Sequence, residues 1–124
     1  MRRVVLHPSA FLAWFANDGN TLRSEYEAGA LDVVTPRTFV ADAMATLAAA
    51  GWPTDRLARV AVEIGRLGFR SQDPPPEALA GWLGRGLDAS SAGYAALAEA
   101  LDLPLAVSDE ALRAATRTLP RADV

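Results

Sequence analysis

The chain has 124 residues, half of them hydrophobic, and a formal net charge of −3. That is enough chain to bury one core, and one domain over residues 1–124 is the expectation. There is no cysteine, which excludes disulfides, thiolate metal sites and cysteine nucleophiles. All twelve basic side chains are Arg, yet the net charge offers no general attraction for nucleic acid, so RNA binding would need a local Arg patch.

Arg3 to Leu6 is an apolar strand, and His7-Pro8-Ser9 opens the apolar helix Ala10 to Ala16. Pro8 suits a first helical position and holds His7 extended, so His7 is the last strand residue. Two Arg before an apolar run also resemble a signal peptide, but His7-Pro8 splits the run and a strand feeding a helix accounts for it better. The expectation is a cytoplasmic protein with no membrane attachment, since no stretch is long enough to span a bilayer.

Thr21 to Ala28 reads as a helix ended by Gly29, and Leu31 to Val34 as a second apolar strand before Thr35-Pro36. Arg37 to Ala50 follows as a helix stopped by Gly51 and Pro53. Within it Asp42 is the only charged residue from Thr38 through Thr54. A helix apolar nearly all round is usually buried, and a buried carboxylate needs a cation, a metal, hydrogen-bond donors or a proton. The other reading is an exposed carboxylate, or one paired with a distant Arg.

Asp55 to Leu67 carries Leu57, Val60, Ala61 and Ile64 at helical spacing with Arg and Glu on the outer faces, and Gly68 ends it. Ser71 to Pro76 reads as a proline-rich loop inside the domain, and Glu77 to Leu83 as a short helix. Asp88 is an N-cap for a helix that runs to Leu101, Leu105 to Val107 is a short buried strand, and Asp109 stands at its end before the helix Glu110 to Ala115. Strands separated by helices imply right-handed crossovers and a parallel sheet covered on both faces, a three-layer α/β/α fold.

In such sheets ligands bind outside the carboxyl ends of the strands, which makes Asp109 and His7 site candidates. Each also has a purely structural reading, Asp109 as an N-cap and His7 as a hydrogen-bonded histidine. Ser9 and Ser91 would orient a water or phosphate, or simply start helices. Trp14, Phe15, Trp52, Trp82 and Tyr94 occupy positions that pack helices, with base stacking as the other reading.

Together these strand ends and Asp42 resemble the PIN domain, in particular the VapC-type toxins of toxin-antitoxin pairs, along nearly the whole chain. That family opens with a strand ending in Asp-Thr/Ser-Ser, follows with a Pro and a helical Glu six residues on, then a Tyr-Asp-Ala helix start, and closes with a Thr-x-Asp strand end. Here those positions read His7-Pro8-Ser9, Pro36 with Asp42, Ser90-Ser91-Ala92 and Ser108-Asp109. The resemblance implies a PIN-like fold and a remnant site of Asp42, Asp109, His7 and Ser91. Clustered carboxylates in the family hold Mg²⁺ or Mn²⁺, which polarises a phosphodiester and activates a water. Asp42 and Asp109 match as ligands, whereas His7 and Ser91 replace acids, and an imidazole suits Mn²⁺, Zn²⁺ or Ni²⁺ better than Mg²⁺.

Three functions follow from this pattern. The first is a degenerate VapC-like protein with weak or lost nuclease activity. The second is an active Mg²⁺- or Mn²⁺-dependent ribonuclease using Asp42, Asp109 and His7. The third is a non-catalytic binding module. The partners implied are a second copy, an antitoxin protein and RNA, with apolar surface on Phe11, Trp14 and Phe15 beside Trp52 and the Ala-rich third helix as the motive for pairing of two copies.

Overall fold

A computed structural model describes residues 1–16 and 19–120. The elements are β1 (Arg2–Leu6), α1 (Pro8–Ala16), α2 (Thr21–Glu27), β2 (Leu31–Thr35), α3 (Phe39–Ala49), α4 (Thr54–Leu67), β3 (Arg70–Ser71), α5 (Pro76–Gly84), α6 (Ala89–Leu101), β4 (Leu105–Ala106) and α7 (Glu110–Ala115). The four strands form one sheet in the order β3-β2-β1-β4, and each pairing is parallel.

Val4, Val5 and Leu6 are consecutive and all fully buried, so both faces of β1 are covered. A parallel strand buried on both faces needs a helical layer on each side. The order of the strands assigns those layers. From β1 to β2 to β3 the chain moves one way across the sheet, and right-handed crossovers place α1 to α4 on one face; from β3 to β4 it moves back past β1, which sends α5 and α6 to the other. The packing agrees, with α1 against α3 and α3 against α4 in one group, and α5 against α6 in the other.

Phe11 of α1 centres an aromatic cluster, with edge or tilted contacts to Trp14, Phe15, Phe39 and Phe69 at ring separations of 5.6, 5.1, 5.4 and 6.2 Å. Trp82 and Tyr94 are buried, Tyr94 with its ring edge-on to His7 and Phe39, and Phe15 stands edge-on to Trp52 at 5.2 Å. The five aromatics expected to pack helices do so. Phe11 and Trp14 are buried inside the chain, however, so they do not supply the exposed apolar surface expected to drive pairing of two copies.

Two expectations are corrected. Ser71 is expected to open a loop, but Arg70–Ser71 extends the sheet, with Val34 opposite Arg70 and Thr35 opposite Ser71. Two residues are too few to carry an alternating pattern, and their pairing is imposed by β2. Second, the helix around Asp42 is not buried all round: Phe39, Ala43 and Leu47 face the core, while Val40, Ala41, Ala45 and Ala48 are exposed. Alanine costs little in water and forms helix well, so an Ala-rich run does not report burial by itself. No helix among the described residues is long and apolar enough to cross a membrane.

Candidate functional site

The strand order places one topological switch point in this sheet, between β1 and β4, where the connection from β1 leaves toward β2 and the chain returns on the opposite side. Ligand clefts of open α/β sheets form at the carboxyl ends of strands at that point. Here it holds a cavity of about 350 Å³ lined by His7, Leu87, Asp88, Ser91, Asp109 and Leu112 with small residues between them.

His7 occupies the junction of β1 and α1. Its backbone N–H donates to Ala106 O at 3.0 Å, continuing the ladder with β4, and its carbonyl accepts from Ala10 and Phe11 at 3.0 and 3.2 Å. Pro8 fits the first helical position because it has no N–H to leave unsatisfied. The imidazole then does what an Asp or Ser oxygen does at an N-cap: Nδ1 accepts the N–H of Ser9 at 3.0 Å.

That bond assigns the tautomer. Nδ1 facing an N–H must be unprotonated, so the proton of the neutral ring sits on Nε2. Burial keeps the ring neutral, lowering its pKa to about 4 against the opposing pull of Asp109, Asp42 and Asp88. The Ser9 hydroxyl lies 2.9 Å from Nδ1 and therefore donates to it. The same Oγ accepts from Ser108 N at 3.0 Å and Asp109 N at 3.3 Å. With its proton and both lone pairs engaged, Ser9 clasps the end of β1 to the segment after β4, and it has nothing left with which to orient a water or phosphate.

The acids around the cavity are also committed. Asp109 caps α7, with Oδ1 accepting from Leu112 N at 2.8 Å, and Asp88 caps α6, with Oδ1 accepting from Ser91 N at 2.8 Å. The Asp88 carboxyl is held below its ordinary pKa, first by that backbone N–H and then by the Ser91 and Ser90 hydroxyls, burial acting the other way. Ser91 lines the cavity beside it.

Asp42 stands apart. It does not line the cavity, and it is only partly buried. Its Oδ2 accepts from Thr38 Oγ1 at 2.9 Å and from the Tyr94 hydroxyl at 2.9 Å. Tyr94 is fully buried, and its ring meets His7 edge-on at 5.0 Å. Burial, with Asp42 adding to it, pushes the phenol well above its usual pKa, so it remains a donor. Of the four residues expected in one cleft, the fold thus brings His7, Ser91 and Asp109 together and joins Asp42 to them through Tyr94. The donors that Asp42 required are hydroxyls.

A divalent ion such as Mg²⁺ needs several oxygen ligands around one point. Among the described residues no three His, Cys, Asp or Glu side chains come together as a group able to hold a metal ion. His7 offers a proton at Nε2 where a ligand would offer a lone pair, and one oxygen of each nearby Asp is already hydrogen-bonded. The residues present do not fit such an ion as they stand.

Two residues at the site were not singled out for it in the sequence. Asp88 read as a cap only, although it also lines the cavity. Tyr94 reads as a packing or base-stacking aromatic and not as a partner of Asp42. A signal for it exists, because a buried tyrosine needs a partner for its hydroxyl and Asp42 had no charged neighbour in its own helix.

The fold and cleft define an open α/β protein with a parallel sheet and a polar site at its switch point. No family model matches the chain, and no curated protein matches it in sequence. Among solved structures it is similar to the crystal structure of PAE2754 from Pyrobaculum aerophilum, at 22% identity over 97% of this chain and 90% of that one, with a TM-score of 0.66. That likeness establishes a shared fold.

Proposed function

We propose that this chain is a VapC-like PIN-domain protein of toxin-antitoxin type, built on a metal-dependent ribonuclease scaffold whose nuclease activity is weak or lost. The observation that carries the reading is His7, at the position where the family's first acid would stand. It lines the switch-point cavity with its acceptor nitrogen already used by Ser9. The motif resemblance supplies the family, and the parallel α/β fold is compatible with it. On this reading the protein is cytoplasmic, its partners are a second copy and an antitoxin, and RNA is what the cleft once cut.

The test is cleavage of a mixed RNA substrate by the purified chain with Mg²⁺ and with Mn²⁺. The expected result is little or no cleavage, with any residue of it removed by Asp42→Ala. Robust cleavage that a chelator abolishes would overturn the reading. It would promote an active ribonuclease, which the placing of Asp88 and Asp109 on one cavity with His7 favours as the alternative.

A further inference from the structure

Asp42 is the one carboxylate at this site whose helix offers it no capping role and no basic partner. It lies in the first turn of α3, and none of the ion pairs among the described residues includes it. Two hydroxyls meet the same oxygen of its side chain. Thr38 belongs to the start of the same helix, so its contact is local; Tyr94 comes from α6, 52 residues further along, and crosses from one helical layer to the other.

Tyr94 is placed without freedom to turn aside. It is fully buried, with its ring against His7 at 5.0 Å and Phe39 at 6.5 Å. One rigid side chain therefore spans from the carboxylate of α3 to the imidazole at the end of β1. Carboxylates held close together repel one another unless a cation neutralises them. Here the ring that Tyr94 meets is a neutral imidazole, and a phenol O–H donates to the Asp42 carboxylate.

We infer that Tyr94 is a positioning residue that stands in for a cation at Asp42, its hydroxyl holding the carboxylate where a metal ion would otherwise neutralise it. This rests on the proposed ribonuclease ancestry of the site. Its consequence is specific: replacing His7 and Ser91 by acids does not rebuild a cation site while Tyr94 is present. His7→Asp keeps the N-cap of α1, because a carboxylate oxygen takes over from Nδ1.

The experiment uses Mn²⁺ alone as the probe, titrated into the full chain and followed by water-proton relaxation, with thermal unfolding in parallel. The chains are wild type, His7→Asp/Ser91→Asp, and the same pair combined with Tyr94→Phe. The triple variant is expected to bind Mn²⁺ at least about tenfold more tightly than the double and to melt higher with the ion than without it, the size of effect that one hydrogen bond to a charged group supports. Equal affinities of double and triple, or a triple variant that melts cooperatively and binds no Mn²⁺, overturn the inference alone. Saturable Mn²⁺ binding by the wild type overturns both the inference and the functional reading beneath it. Should the triple variant not fold, Ser91→Asp/Tyr94→Phe against Ser91→Asp, with His7 left in place, gives the second test. Tighter Mn²⁺ binding by the variant that lacks the hydroxyl is expected, and equal affinities overturn the inference.

Discussion

Ser9→Ala removes a single oxygen that holds two strand ends together. Three hydrogen bonds meet on that oxygen: one to His7 Nδ1 at 2.9 Å, one from Ser108 N at 3.0 Å and one from Asp109 N at 3.3 Å. They do not weigh equally. The Asp109 contact is long and exposed, so water replaces it; Nδ1 retains the Ser9 N–H, so it is not orphaned; the Ser108 N–H is part-buried and loses its partner. Two part-buried bonds at about 1 kcal/mol each, with the cost of one unpaired donor overlapping them, give a destabilisation of about 2–3 kcal/mol. For a chain of this size that corresponds to a melting temperature lower by roughly 10 °C. Urea unfolding followed by circular dichroism measures it directly, with an unchanged m-value as the sign that the denatured state is unaffected. Ser91→Ala is the control: Ser91 is only half-buried beside the exposed cap Asp88, and the change is expected to stay within about 0.5 kcal/mol. A Ser9→Ala protein as stable as Ser91→Ala would refute the clasp.

His7 makes stability fall toward acid: its folded pKa of about 4 lies below the ordinary 6.5, so the unfolded chain binds the proton first, and about 3 kcal/mol is lost progressively between pH 6.5 and 4. Denaturant midpoints across that window should show the slope in wild type and a flatter one in His7→Asn. Asp109→Ala costs about 1 kcal/mol through loss of the α7 cap, whereas Asp109→Asn, which keeps an acceptor for Leu112 N, costs a few tenths; equal losses in thermal melts would mean that the charge and not the cap matters. Tyr94→Phe lowers stability by about 1.5–3 kcal/mol because the bond it deletes ends on a carboxylate, and a neutral outcome in chemical unfolding would mean that Asp42 is satisfied by Thr38 and water alone.

Local chemistry carried most of the elements. Pro8 at the start of α1, Asp88 and Asp109 as caps and Gly68 in a left-handed conformation at the end of α4 are signals contained in one or two residues, and each acts in the structure as its type demands. The apolar runs of β1 and β2 likewise declare strands covered on both faces. β3 was illegible because an edge strand of two residues is defined by what it lies beside. The burial of α3 was misread for a related reason, since alanine is at home on either side of a helix.

The site divides the same way. Sequence alone pointed to His7 and Asp109 at strand ends, to Asp42 as the one charge of its helix and, through the resemblance, to Ser91, and showed that two positions of the resembled motif lack acids. Only the tertiary structure decided what each side chain does there. The direction of the His7 proton, the engagement of the Ser9 hydroxyl by residues 99 and 100 positions away, and the meeting of Tyr94 with Asp42 across 52 residues depend on distances between elements. A residue's type fixes what it is able to donate or accept; which partner it finds is fixed by the packing of the layers, and local sequence holds no record of that.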